Sequence, residues 1–384
     1  MKAAEKINKN CINSHKSDGV IAKKKRFKKF SCIDLFCGCG GLSLGFKEAG
    51  FNIIGAIDFN KAAMETHKKN FNTDFEFCGD IASIEDDFIK QQFKDKVDVI
   101  IGGPPCQGFS GLNRRNKDGN DPRNMLFLQY LRFVKLLSPK VVLIENVRQI
   151  LTAKDGFVKN EIFKILDELG YNVTCNIVDA SDYGVPQARK RAIFIGAKKD
   201  LKPYSFDLLK KQECEKVTVS EAISDIADIE QETLKDLTAE YYNLKETHSD
   251  YQKIMRSKSN DKLFNHLMYY PTQNVQKMIS YVPQGGNWKY VPKELFKSDR
   301  DNRQSNYLKR LEYNSQSITI DTGHNVYFHP VFNRVPTIRE SARLQSFPDD
   351  FIFYGKKGEQ FRQVGNAVPP LMAKAIAKSI LEIL

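Results

Sequence analysis

Three loops in this chain carry side chains able to act together on a flat substrate. The stretch Gly102-Gly103-Pro104-Pro105-Cys106-Gln107-Gly108-Phe109-Ser110 sets a thiol between two prolines and a set of glycines. The prolines remove two backbone donors and restrict the thiol, while the glycines leave room for a planar ligand. A loop cysteine is ordinarily a small buried apolar group, but a thiolate beside a cation is a strong nucleophile. In Val141-Val142-Leu143-Ile144-Glu145-Asn146-Val147 a carboxyl follows an apolar run. Partial desolvation there should raise its pKa and let it give a proton, the plainer alternative being an acid that caps a loop. Gln187-Ala188-Arg189-Lys190-Arg191 offers guanidinium groups for a carbonyl or phosphate, or simply exposed loop charges.

A fourth segment, Asp34-Leu35-Phe36-Cys37-Gly38-Cys39-Gly40-Gly41, has the glycine content of a turn that lets backbone approach a ligand and opens a helix onto an anionic group. Asp58 ends the next apolar run and suits ribose hydroxyls; Phe59 suits an adenine face, and Asp80 its exocyclic amine. An adenosine cofactor accounts for this set better than a tight turn alone. The residues by themselves leave NAD and S-adenosylmethionine unresolved.

These loops need strands to deliver them. The runs SCIDLF, NIIGAIDF, VDVIIG and KVVLIENV read as buried strands, with helical stretches such as Asn124 to Leu137 and Val158 to Leu169 between them. The alternation predicts an α/β fold, a mostly parallel Rossmann-like sheet with ligands at the carboxyl ends of its strands. Val173 to Ala180 and Ala192 to Ala197 are further runs, and an apolar helix from Pro370 to Leu384 closes the chain. Residues 200–335 are polar, rich in Lys and Glu, and read as a smaller inserted domain between 30–199 and 336–384. Residues 1–29, ending in Lys23-Lys24-Lys25-Arg26-Phe27-Lys28-Lys29, read as a solvated basic leader.

A net charge of +12 over 384 residues favours a polyanionic partner such as nucleic acid. No apolar run is long enough for a membrane span, and the N-terminus lacks the apolar core of a signal peptide. Eight cysteines in such a chain are expected as reduced thiols, and the Cys37-x-Cys39 pair lacks the partner pair of a zinc site, so no metal is expected.

Taken in order, Asp34-Leu35-Phe36-x-Gly38-x-Gly40-Gly41, Pro105-Cys106-Gln107, Glu145-Asn146-Val147, Gln187-x-Arg189-x-Arg191, Arg339-Glu340-x-Ala342-Arg343-Leu344-Gln345 and Gln363-Val364-Gly365-Asn366-Ala367-Val368-Pro369-Pro370 resemble the motifs of the cytosine-5 DNA methyltransferases. The resemblance covers roughly residues 31–200 and 305–384. It implies S-adenosylmethionine as methyl donor and a covalent adduct of Cys106 with carbon 6 of a cytosine flipped out of duplex DNA. Glu145 would act at ring N3, Arg191 at the ring carbonyl, and Arg189 nearby. It also implies cofactor contacts at Asp34, Phe36, Gly38, Gly40, Gly41, Asp58, Phe59, Asp80, Ile81, Pro104, Asn366, Ala367 and Val368. Gln107, Ser110, Arg123, Gln187 and Arg339 are expected to contact DNA, with a scaffold role for Arg339 besides. Residues Gly108 to Arg123 would form a lid, and 200–335 would recognise the target sequence, with Asn265-His266 and Gln284-Gly285-Gly286-Asn287-Trp288 as a pattern of bacterial members.

The expected setting is a bacterial cytosol, with the enzyme on the nucleoid when bound to DNA, acting as a monomer alongside a cognate restriction endonuclease. A tRNA cytosine-5 methyltransferase of the same family is the nearest rival, though the Cys-Phe-Thr tripeptide usual in that group is missing. A DNA-binding protein with a decayed site and a nicotinamide dehydrogenase are further rivals. The intact Cys106, Glu145 and Arg191 argue against the first, and the thiol loop against the second.

Overall fold

The computed structural model describes residues 29–105, 122–213, 215–229, 244–296, 307–322 and 327–384, together with Thr238, Glu240 and Arg303; side chains of 122–124 are not described. The basic leader up to residue 28, Cys106, Gln107, Ser110 and the expected lid as far as residue 121 lie outside the described residues, as does the Arg123 side chain.

The first half alternates strand and helix: β1 (Ser31–Leu35), α1 (Gly41–Ala49), β2 (Asn52–Asp58), α2 (Lys61–Asn70), β3 (Phe75–Cys78), α3 (Asp86–Phe93), β4 (Val99–Gly102), α4 (Pro122–Leu137), β5 (Val141–Val147), α5 (Phe157–Glu168), β6 (Tyr171–Asp179) and β7 (Lys190–Lys198). The strands form one sheet in the order β3-β2-β1-β4-β5-β7-β6. β1, β2, β3, β4 and β5 pair in parallel, whereas β7 runs antiparallel to both neighbours. In a doubly wound dinucleotide-binding sheet a further parallel strand follows at this place. Here the reversed β7 intervenes, so its first residues lie at the edge where the parallel strands end.

Central strands are apolar on both faces because helices cover both. On one face Ile33, Ile100, Val142 and Phe194 pack with Tyr130 and Phe133 of α4. The Tyr130 hydroxyl donates to the carbonyls of Ile100 and Leu143, 3.1 and 2.8 Å away. β3, whose residues are mostly half-buried, has too weak a pattern to stand out in the sequence.

The second region contains α6 (Val219–Ile223), α7 (Asp250–Arg256), α8 (Gln273–Ser280), β8 (Lys309–Arg310), β9 (Tyr327–Phe328), α9 (Ile338–Leu344) and α10 (Lys357–Asn366). Its core joins Val219, Tyr251, Ile279 and Leu311 to Ile338, Leu344, Phe347, Phe361 and Val364, and reaches Cys39 and Phe71 of the first half. That core therefore crosses the boundary expected at residue 336. α11 (Pro370–Leu381) returns to the sheet, where Met372, Ile376 and Ile380 pack with Val99, Val141 and Ile195. It lies directly against α1: a Cβ on Gly45 would overlap Ala373.

Buried ion pairs bind the second region. Thr337 and Glu340 form a reciprocal N-terminal cap on α9, and Arg334 donates to both Glu340 oxygens at 2.7 Å. Burial alone would raise the Glu340 pKa; the Arg334 charge outweighs it and holds it down to about 2. Arg334→Met would strand that carboxylate in the core and should cost about 3–5 kcal/mol of stability, read as a lower denaturant midpoint with an unchanged slope.

Candidate active site

The carboxyl ends of β1, β2, β4 and β5 open on a cavity of about 1180 Å³. Between β1 and α1 the chain turns through positive φ at Phe36 (61°), Gly38 (56°) and Gly40 (99°). For Phe36 this conformation costs on the order of 1–3 kcal/mol and persists only under outside constraint. The constraint comes from β2: Cys37 N–H donates to Ile57 O at 3.1 Å, and Gly38 N–H to Asp58 Oδ2 at 2.8 Å. Asp58 Oδ1 accepts from Asn60 N–H at 2.7 Å, so one carboxylate pins the turn and the start of α2. Burial raises the Asp58 pKa, and these N–H donors oppose the rise.

Phe36, Gly38, Gly41, Asp58, Phe59, Asp80, Ile81, Pro104, Asn366, Ala367 and Val368 all line the cavity. Phe59 is 79% exposed, its ring free to cover a ligand, and Asp80 spends one oxygen on Ala82 N–H at 2.9 Å. Gly41 abuts the Val368 carbonyl so closely that a Cβ there would overlap it, which is how the two ends of the chain close one pocket.

Two expected cofactor contacts lie beneath the turn instead of in the cavity. Asp34 is fully buried and accepts from Ser43 Oγ at 2.6 Å, while Gly40 rests on a stacked His67–Phe71 pair. His67 in turn bridges Ser43 Oγ and Glu76 Oε1. Burial raises the Asp34 pKa to about 7, with the Ser43 hydrogen bond opposing, and its Oδ1 has no partner. A folded-state value above the ordinary one near ~4 means this group's stability contribution is complete below that ordinary value and is lost as pH rises through about 7. Asp34→Asn should therefore flatten the fall in melting temperature between about pH 4 and 7; an unchanged slope would refute the assignment.

At the other end of the cavity stands Glu145. In the β5–β7 register Val147 faces Arg191 and Glu145 faces Ile193, so Glu145 and Arg191 are diagonal neighbours on one face. Arg191 Nε lies 3.1 Å from Glu145 Oε1, both side chains being mostly buried. Burial raises the Glu145 pKa, with the charges of Arg191 and Arg189 opposing it. Asn146 Nδ2 donates to Pro104 O at 2.8 Å, which ties the acid's strand to the Pro-Pro segment preceding Cys106.

Arg189 lines the cavity but is a clamp: it is 1% exposed and donates to the carbonyls of Ile320 (3.1 Å) and Gly365 (2.9 Å). Its pKa falls to about 9 through burial and the neighbouring Arg191. In this structure its side chain holds two backbone carbonyls, while Arg191 is the guanidinium that pairs with Glu145. Gln187 and Arg339, expected at DNA, are both fully buried. Gln187 bonds to Leu344 O, Gln345 Oε1 and Ile320 N–H, and Arg339 to the carbonyls of Phe264, Pro348 and Phe351. Every one of these bonds would have to break before either could touch a nucleotide. Asn265 and His266 are likewise buried scaffold, bonded to Phe353 O, and to Thr337 and Ile226 O.

The cavity also has lining outside the quoted motifs, Gln129 on α4 and Glu359 and Arg362 on α10, and Gln363, which opens the last motif but was assigned no contact. The helical spacing from Asn366 back to Gln363, Arg362 and Glu359 was the available signal. Gln129 Oε1 and Gln363 Oε1 are buried acceptors without partners. Together with the glycine turn and the open Phe59 face, they fit a ligand carrying amine and hydroxyl donors, as S-adenosylmethionine does.

A sheet with one reversed strand, a cavity of about 1180 Å³ at its carboxyl edge and a desolvated acid–guanidinium pair lining it mark an α/β protein with an enzyme-like site. Residues 30–382 match the C-5 cytosine-specific DNA methylase family, and the chain belongs to it; it is a DNA (cytosine-5-)-methyltransferase. It is 37% identical over 355 residues to type II methyltransferase M1.HphI of Haemophilus parahaemolyticus, spanning 91% of this chain and 86% of that protein. To M.DdeI of Desulfomicrobium norvegicum it is 38% identical over 374 residues, spanning 91% and 88%. A candidate DNA modification methyltransferase encoded within an E. coli prophage superposes with a TM-score of 0.76 at 31% identity, covering 92% of this chain and 99% of that one. Members of the family take their methyl group from S-adenosylmethionine, and type II DNA methyltransferases act on double-stranded DNA.

Proposed function

We propose that this enzyme methylates carbon 5 of a cytosine extruded from a specific duplex sequence, through a covalent adduct with Cys106. The observation that carries this reading is the Glu145–Arg191 pair, 3.1 Å apart, at one end of a cavity whose other end is the glycine turn. A duplex hides the ring edge, so the base must leave the stack to reach the pair. The Cys106 thiolate adds to ring carbon 6 while Glu145 gives or holds the proton at N3, and carbon 5 becomes electron-rich as an enamine. Arg191 restrains Glu145 and faces the ring carbonyl. S-adenosylmethionine, which the residues of the glycine turn would hold, would supply a methyl carbon made electrophilic by its sulfonium; that carbon passes to carbon 5, and the sulfur keeps the broken bond's electron pair as the thioether of S-adenosylhomocysteine. Loss of the carbon 5 proton to a base then expels the thiolate and restores the ring.

The ribose falls to Asp58, the adenine to Phe59 and Asp80, with Ile81, Pro104 and the Asn366–Val368 turn closing around them. Gln107, Ser110 and Arg123 are assigned to DNA, residues 200–335 to target recognition, and Gly108 to Arg123 to a lid. Affinity for DNA would rest on Lys and Arg contacts to phosphates and fall steeply with salt. The enzyme is assigned to a restriction-modification system beside a cognate endonuclease, working as a monomer in the bacterial cytosol.

The test is transfer of labelled methyl groups to unmethylated genomic DNA and, in parallel, to total tRNA, followed by bisulfite sequencing of the DNA. Protected cytosines within one short recurring sequence would establish reaction and target together. Label entering tRNA alone would overturn the DNA reading.

A further inference from the structure

Beneath the glycine turn four side chains form a continuous polar line that no step of the methylation uses. Asp34 Oδ2 of β1 meets Ser43 Oγ of α1 at 2.6 Å, Ser43 Oγ meets His67 Nε2 of α2 at 3.3 Å, and His67 Nδ1 meets Glu76 Oε1 of β3 at 3.2 Å. Asp34, Ser43 and His67 are fully buried. Burial alone would raise the Glu76 pKa, but hydrogen bonds from His67 and Thr73 outweigh it and hold this carboxyl below its usual range.

Counting protons along the line limits its charge. Ionised Glu76 only accepts, so His67 Nδ1 must carry a proton. If Asp34 is ionised, Ser43 donates to it, and His67 Nε2 must then donate to Ser43 Oγ, which makes the imidazole a cation. If Asp34 is protonated, it donates to Ser43 Oγ, Ser43 donates to Nε2, and His67 is neutral. The two arrangements hold the same number of protons and differ only by moving one of them across Ser43. Once that proton leaves, the Ser43 hydroxyl can serve Asp34 or His67 but not both. The partnerless Asp34 Oδ1 suits the protonated acid better than a buried carboxylate.

This line joins β1, α1, α2 and β3, and the cavity is lined by Phe36 just past β1, Gly41 opening α1, Ala63 in α2 and Asp80 just past β3. Gly40 rests on the His67–Phe71 stack, where a Cβ would come within 2.9 Å of His67 Cδ2. Resting on the assignment of S-adenosylmethionine to this cavity, we infer that Ser43 and His67 are positioning residues that share one proton with Asp34, and that this proton locks the glycine turn in its cofactor-holding form. Cofactor affinity then falls as the proton leaves, and binding takes a proton up.

The Asp34 value of about 7, raised by burial, sets the direction: the lock is complete below that value and is lost as pH rises through it. Asp58 of β2 faces both ends of the line, its charge acting on Asp34 and feeling His67. The thiols of Cys32, Cys37 and Cys39 and the Tyr130 phenol of α4 also feel Asp34, and burial pushes all four up, so they stay neutral. At the other end Lys68 acts on Glu76, and Lys47 of α1 lies over the Phe71 ring.

Calorimetry of the full chain with S-adenosylhomocysteine, in buffers of different ionisation enthalpy, reads affinity and proton uptake together. Between about pH 6 and 8 the native affinity should fall about tenfold, with nearly one proton taken up per ligand at the upper end. Asp34→Asn puts an amide donor beside Ser43, copies the protonated arrangement, and should bind tightly across the range without proton uptake. His67→Phe keeps the ring stack without the proton and should bind about tenfold more weakly than native at about pH 6, with no pH dependence. If His67→Phe does not fold, native protein and Asp34→Asn decide the matter. A native affinity independent of pH would overturn the inference. So would a native-like fall and uptake in Asp34→Asn, which would assign the proton to Asp58 or another group. Folded native protein that bound no S-adenosylhomocysteine at any pH would instead overturn the cofactor assignment, and the inference with it.

Discussion

Cys106→Ala is expected to lower methyl transfer to DNA by at least roughly 10⁴-fold, the order seen when a covalent enzyme loses its nucleophile. Carbon 5 of cytosine does not attack a methyl donor while the ring keeps its aromatic electrons, and only addition at carbon 6 releases them. Positioning and electrostatic stabilisation would survive the substitution, but the step they serve would not. The same chemistry predicts that DNA containing 5-fluorocytosine is trapped as a stable adduct, because fluorine at carbon 5 cannot leave as a proton. Trapping should occur with native protein and fail with Cys106→Ala, while the melting temperature and the affinity for S-adenosylhomocysteine stay close to native. An adduct formed by the alanine variant would show that another residue is the nucleophile.

Glu145→Gln should reduce the rate by roughly 10²–10⁴-fold, the usual worth of a positioned general acid. Its pH profile is the sharper readout. Burial raises the Glu145 pKa despite Arg191 and Arg189, so the carboxyl keeps its proton to higher pH than an exposed one. Activity that depends on the protonated form is complete below the raised value and falls as pH rises through it. The glutamine variant should lack that limb. Arg191→Met removes the opposing charge and should move the limb to higher pH, since desolvation then acts with less opposition. Stability has the same sign: the contribution of the neutral carboxyl is present below its unfolded value and is lost as pH rises through the folded one. An alkaline limb left intact in Glu145→Gln would show that the titrating group lies elsewhere.

Legibility from sequence followed locality. KVVLIENV shows both its strand and its terminal acid, because an apolar run ending in a carboxyl is a property of adjacent residues. The glycine turn was legible for the same reason, and Phe36 with positive φ confirms that the turn is strained as well as tight. By contrast, Arg189 and Arg191 are two positions apart and similar in type, yet one is bound to backbone carbonyls and the other to the acid. Nothing local separates them. The partners of Arg189 stand 131 and 176 residues away.

The sequence by itself determined the alternation of buried strands and helices, the loops that carry Cys106, Glu145 and the glycine turn, and, through the order of its motifs, the family. Those features depend on residue type and short-range spacing, which set hydrophobic periodicity and turn chemistry. Only the tertiary structure decided the reversal of β7, which brings Arg191 to the edge where Glu145 ends its strand. It also decided which polar side chains support the fold and which face the cavity: Asp34, Gln187 and Arg339 are consumed inside the scaffold, while Arg362 and Gln363 point to the ligand space. A buried polar group takes whatever donor or carbonyl the fold places about 3 Å away, and that neighbour is chosen by packing between segments far apart in the chain.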